Sequence, residues 1–133
     1  MSDDGSIHDK DNTYTWAQAF EKIEALNDTS FAGFDDWRLP NAFELASLLF
    51  FGSSEPTLAA PFDAGCTNGC TVLTCSCPGN LNRIYWTSTS FAPSPSGAWA
   101  VDFEIGVSYG SDKISFPLNV RAVRGGLVPG GMN

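Results

Sequence analysis

A chain of 133 residues and 14.2 kDa is one domain's worth of protein, long enough to bury a core but too short for two independent domains. With 43% apolar residues, four Trp and ten Phe against 17% charged, it is not a disordered acidic chain and must pack. The net charge of −8, with acids crowded into residues 1–36, opposes polyanionic partners, so neither nucleic acid nor anionic membrane is an expected partner.

Residues 1–12 are polar and lack periodicity, which predicts an exposed arm. Its start, Met1-Ser2-Asp3-Asp4, is acidic and no apolar segment follows, unlike a secretory signal. The richest apolar run, residues 45–51, falls well short of the roughly 18 residues a membrane span needs, so no transmembrane segment is expected. From Thr13 the pattern turns helical: Trp16, Phe20, Ile23 and Leu26 share one face, with Gln18, Glu21, Lys22 and Glu24 placed elsewhere, until residues 27–30 stop it. Trp37-Arg38-Leu39-Pro40 follows a short loop. Trp37 and Leu39 are expected in the core, and Arg38 as a half-buried donor to Glu44 or to carbonyls. Asn41 can cap a second helix with Glu44 three residues on, Phe43, Leu45, Leu48 and Leu49 forming its buried side and Gly52 ending it.

Residues 52–82 carry little pattern, and a loop that long in a small domain is usually functional or stapled. Within it Cys66, Cys70, Cys75 and Cys77 follow Cys-x3-Cys-x4-Cys-x-Cys. That spacing lacks the Cys-x2-Cys knuckle of zinc sites and favours two disulfides, as in exported domains. A Cys75–Cys77 link is disfavoured by the distance across one extended residue. This leaves the nested pairing, Cys66–Cys77 with Cys70–Cys75, or the crossed one.

Four short segments, 83–89, 98–104, 107–116 and 119–124, read as strands from their aromatic and β-branched content between Gly or Pro turns. In the second, Ala98, Ala100, Asp102 and Glu104 alternate with Trp99, Val101 and Phe103, giving one mostly polar and one apolar face. Helices followed by a meander define an α+β domain over 13–127, with a Gly- and Pro-rich flexible tail at 128–133.

For chemistry, a nucleophilic triad needs a His held within reach of a Ser or Cys, and the sole His8 lies in an arm expected to be mobile, which argues against acyl transfer. The acid pairs Asp35/Asp36 and Asp102/Glu104 read as solvated surface. Asp9 and Asp11 offer oxygen ligands at alternate positions, but the stretch lacks the Gly and distal Glu of a calcium loop, so the expected cofactor set is none.

The strings Tyr14-Thr-Trp-Ala-Gln-Ala19, Ala32-Gly-Phe-Asp-Asp-Trp-Arg-Leu-Pro-Asn41, Tyr85-Trp-Thr-Ser-Thr89, Ala98-Trp-Ala-Val-Asp-Phe103 and Val120-Arg-Ala-Val-Arg-Gly-Gly126 together resemble the bacterial family named for the C-terminal domain of the Legionella collagen-like adhesin. The resemblance implies a C-type-lectin-like fold, two helices on a short twisted antiparallel sheet with a long stapled loop. It also implies export or surface exposure, and a non-catalytic module that binds a glycan or surface protein, the founding member being an oligomeric adhesin that binds sulfated glycans. Arg83, Tyr85, Trp86, Trp99, Arg121 and Arg124 are then the candidate binding residues, aromatic rings and Arg supplying most energy at such surfaces. Glu55-Pro56-Thr57 echoes a calcium-lectin loop and adds Glu55 to Asp9 and Asp11 as possible calcium ligands. The chain begins after the family's usual opening strand, which leaves 119–124 as an open edge and predicts a homo-oligomer through it. The alternative classes are an oxidase related to formylglycine-generating enzymes, which share a Trp-x-x-Ala helix and Arg-Leu-Pro, or a purely structural oligomerisation domain.

Overall fold

The structure, a computed structural model, describes residues 1–49, 60–78 and 83–125. Gly52, Glu55 and the tail at 128–133 lie outside the described residues.

Helix α1 spans Trp16–Asp28. Thr15 and Gln18 form a capping box, the Thr15 amide donating to Gln18 Oε1 at 2.9 Å and the Gln18 amide to Thr15 Oγ1 at 3.4 Å. Its buried stripe is Ala19, Lys22, Ile23 and Leu26. Phe20 lies at the margin of that stripe rather than in it, 40% exposed and packed edge-on against Trp16. Strand β1, Trp37–Arg38, is held to α1 by Asn27, whose carboxamide exchanges two hydrogen bonds with the Trp37 backbone at 2.7 and 2.9 Å, as a neighbouring strand would.

Helix α2 is a short segment, Ala42–Ala46, and the expected Asn41/Glu44 capping box opens it. Glu44 Oε1 accepts from both the Asn41 amide and Arg38 Nη1, while Arg38 Nη2 donates to Oε2 at 2.6 Å. The Arg38 Nε and Nη2 also donate to the Gly125 carbonyl, so one guanidinium ties α2 to the far end of the chain. Leu45 is buried, and Leu48 and Leu49 pack beside it although they follow the helix end. Phe43, expected on the buried side, is 89% exposed: two residues from Leu45 is about 200° around a helix, which places it on the opposite face.

The main sheet is antiparallel in the order β2 (Ile84–Ser90), β3 (Gly97–Asp102), β4 (Val107–Asp112). Tyr85 pairs with Val101, Trp86 with Ala100 and Trp99 with Gly110. Trp86, Ala98 and Ala100 meet Ala19, Ile23 and Leu26 of α1, whereas Tyr85, Val101 and Phe103 meet Leu45 of α2. The sheet therefore lies between the two helices, and the expected polar face of β3 does not exist. Ala98 and Ala100 are fully buried because α1 covers that side, while Trp99 is only half-buried. The Asp102 carboxylate sets the β3–β4 turn by accepting from the Glu104 and Ile105 amides.

The strand segments expected at 107–116 and 119–124 are shorter, ending at Asp112 and reduced to β5 (Val123–Arg124), which pairs antiparallel with β1. The stretch before β5 is not an open edge. Leu118 exchanges two 2.8 Å hydrogen bonds with Tyr14, and Asn119 bonds with Ile84 and Trp86 across β2. Among the described residues the unpaired edge of the three-stranded sheet is β4.

Residues 1–12 are not an exposed arm. Ser2 and Asp9 are buried, Ser2 closes a loop with His8 and Lys10, and Asp9 accepts from the Gly5 and Asp11 amides. This clasp docks on the stapled loop through Asp3 with Gly69 and Cys70, and Met1 with Cys77. The disulfides are nested, Cys66–Cys77 and Cys70–Cys75. No periodicity announces the clasp, because side-chain-to-backbone bonds, not an apolar face, organise it. No helix among the described residues is long and apolar enough to cross a membrane.

Candidate functional site

The expected binding residues divide into core, braces and surface. Tyr85 and Trp86 have no exposed area: they point to opposite faces of β2 into the two clusters, and the Trp86 indole donates to the Tyr14 carbonyl at 2.7 Å. Both are packing residues, not ligand contacts. Arg121 donates to Ser76 Oγ and to the carbonyls of Phe62 and Cys77, bracing the stapled loop against the body, with its plane over Tyr85 and Phe62. Arg124 is bidentate to Asp36 and lies 3.5 Å from the centroid of Phe34, and its guanidinium holds the Asp36 carboxyl below its ordinary range. Arg83 faces Asp63 at 3.9 Å. Trp99 stands edge-on to Phe91 with ring centroids 4.9 Å apart. Lys113 caps the Trp16 ring at 4.1 Å and donates to Ser90 and Pro95. These cations are committed to separate local partners and do not form a shared basic patch.

Of the calcium residues, Asp9 and Asp11 come together with Asp3. The Lys10 ammonium reaches Asp3 at 3.3 Å and Asp11 at 3.1 Å, standing where a cation would. Asp9 is kept below its usual range although burial opposes ionisation, because the backbone amides of Asp11, Gly5 and Asp4 outweigh it.

Several concavities among the described residues were not visible in the sequence. One, about 570 Å³, is lined by Leu26, Phe31, Trp37 and Leu73 with Lys22, His8 and Arg121. Lys22, on the buried stripe of α1, is 6% exposed, and burial lowers its pKa from 10.5 to about 8. The His8 ring lies 4.2 Å from that of Phe31, and its pKa is lowered first by burial and then by the Lys22 charge. The signal for Lys22 was its position three after Ala19 and four before Leu26, which puts it on the apolar face rather than the polar one. A second concavity, about 360 Å³, runs beside β4 and is lined by Ile84, Tyr109, Ser111, Asp112, Phe116 and Pro117.

The Arg38–Glu44–Asn41 network shows what Trp-Arg-Leu-Pro-Asn does physically: a strand, a buried Pro40 and a capped helix locked by one guanidinium. The family model described as the Lcl C-terminal domain matches residues 2–124, from the clasp to β5. The chain belongs to the Lcl C-terminal domain family. No curated protein and no solved structure matches it. In this Lcl C-terminal domain the Trp37–Asn41 string thus has an architectural role.

Proposed function

We propose that this is a non-catalytic binding module of an exported or surface-exposed protein, built on a C-type-lectin-like fold and presenting a fixed surface to a glycan or a surface protein. The observation that carries this reading is the row of exposed apolar side chains on and around β4. Val107 and Tyr109 project from the strand, Ile105 from the turn before it, and Ile114 and Phe116 from the segment after it, 36–82% exposed. Soluble domains seldom leave so many large apolar groups together in water unless something covers them. Tyr109 and Phe116 flank the groove beside β4, and Ser111 and Asp112 give it a polar rim. Amides of Ser115 and Ile114 keep the Asp112 carboxyl below its usual range, so it is ionised. Aromatic walls with hydroxyl and carboxylate acceptors suit a neutral sugar face or an apolar peptide, and the acidic molecule disfavours sulfated polymers.

The oxidase alternative requires reactive thiols, whereas all four cysteines are in disulfides. The test is a glycan array with a panel of extracellular-matrix proteins, using the domain and a Tyr109→Ala/Phe116→Ala double variant whose fold is checked by circular dichroism. Binding that the double variant loses, and that changes little between low and physiological salt, supports the reading. Binding to no ligand, or binding the variant retains in full, overturns it.

A further inference from the structure

We infer that the cleft around Lys22 is a binding site for a small organic monoanion, an apolar ring or chain carrying one carboxylate. This goes beyond the β4 groove, with which the cleft shares no lining residue. The first argument is the charge of its walls. In a chain with 15 acids and 7 bases, the lining of this cleft contains Lys22, Arg121, the only histidine and Met1, whose amino terminus donates to the Cys77 carbonyl and has its pKa lowered by burial to about 5, and no Asp or Glu. The second is that Lys22 has no counter-ion among the described residues. Ion pairs among the described residues engage Lys10, Arg38, Arg83 and Arg124, and the one partner of the Lys22 ammonium is the Tyr14 ring, 4.9 Å away. A cation nine-tenths buried with only a π face beside it is costly to the fold, and a carboxylate placed against it recovers that cost as a charge-assisted hydrogen bond.

Third, Arg121 adds a fixed positive charge. Its Nη atoms are taken by Ser76, Phe62 and Cys77, while its Nε is buried with no acceptor among the described residues. The remaining walls, Leu26, Phe31, Trp37 and Leu73, are apolar and fit a ring or alkyl chain rather than a hydrated inorganic ion. Lys22 also borders a shallower groove that contains Glu21, but no ion pair joins the two residues.

The probes are indole-3-acetate and octanoate, for an aryl and an alkyl body, with indole-3-acetamide as the control for an apolar body without charge and inorganic sulfate as the control for negative charge without an apolar body. Binding is followed by amide chemical-shift mapping on the intact domain. The expected result is saturable binding of at least one carboxylate, with shifts at residues 22, 31, 37 and 120–122. A charged hydrogen bond is worth enough that the amide should bind roughly 10- to 100-fold more weakly, and sulfate weakly or not at all. Lys22→Met should cut the preference for acid over amide several-fold, to the remainder that Arg121 supplies, Lys22→Arg should keep the preference, and Glu21→Gln should leave it unchanged. Equal binding of acid and amide to the unaltered domain, shifts confined to other surfaces, a preference that Lys22→Met leaves undiminished, or no binding by either carboxylate overturns the inference. Each outcome is independent of the β4 groove, which the Tyr109→Ala/Phe116→Ala variant tests separately.

Discussion

Replacing Lys22 by Met keeps the length and apolar stem of the side chain and removes its buried ammonium. Burial lowers the Lys22 pKa from 10.5 to about 8, and at about 1.4 kcal/mol per pH unit the charge costs the fold about 3–4 kcal/mol at neutral pH. Loss of the cation–π contact with Tyr14 returns about 1 kcal/mol of that, leaving Lys22→Met more stable by about 2–3 kcal/mol. The pH dependence fixes the sign. Below pH 8 lysine is protonated in both folded and unfolded chains and the full penalty applies. Between 8 and 10.5 the unfolded chain binds more protons, so the wild type gains stability as pH rises and the gap closes. His8 titrates below its ordinary 6.5 and Tyr14 above its ordinary 10, and burial with the Arg121 and Lys22 charges lowers the pKa of the Met1 amino terminus from 8.0 to about 5; that amine is present in both proteins, so the difference between them over pH 8–10 reports on Lys22. Urea midpoints measured for both proteins at pH 7 and pH 10 decide it. A variant less stable than wild type at pH 7, or a gap that is as wide at pH 10, would refute the reasoning.

Three further outcomes follow from the geometry. Arg38→Ala should cost about 1–2 kcal/mol, the partly exposed pair discounting a fully buried ion-pair value. Its coupling to Glu44→Ala in a double-mutant cycle should persist above pH 4.5 and fade as pH falls through the depressed Glu44 pKa, and coupling unchanged at acid pH would refute the assignment. Peptide mapping of non-reduced protein should show Cys66–Cys77 and Cys70–Cys75. Removing the first link by Cys66→Ser/Cys77→Ser should cost about 3 kcal/mol and the second, across a shorter loop, about 2 kcal/mol in the chain-entropy estimate, with amide protection at Asp3 and Gly69 lost alongside the first. The unpaired β4 edge should let the domain dimerise through antiparallel β4 pairing, and Tyr109→Lys should shift light scattering to monomer; a monomer at high concentration before substitution counts against it.

What the sequence determined by itself is what short-range chemistry controls. The α1 stripe follows from apolar spacing, and the start of α2 from Asn41 and Glu44, whose bonds span three residues. Arg38 meets Glu44 because Pro40 and the cap bring them together within seven positions, and the cysteine spacing already limited the disulfides to two pairings. What only the tertiary structure decided depends on contacts between residues far apart in the chain. Trp86 and Tyr85 look like lectin aromatics in sequence, and became core because α1 and α2 cover opposite faces of the same sheet. Arg121 became a brace once residues 62–77 folded beneath it, and residues 1–12 became a clasp once the stapled loop offered Gly69, Cys70 and Cys77 as partners. The spacing of Lys22 from Ala19 and Leu26 already puts it on the apolar face of α1. That its ammonium ends beside the Tyr14 ring and in a cleft walled by Phe31 and Trp37 was decided only by the assembled packing, because those groups come from outside the helix.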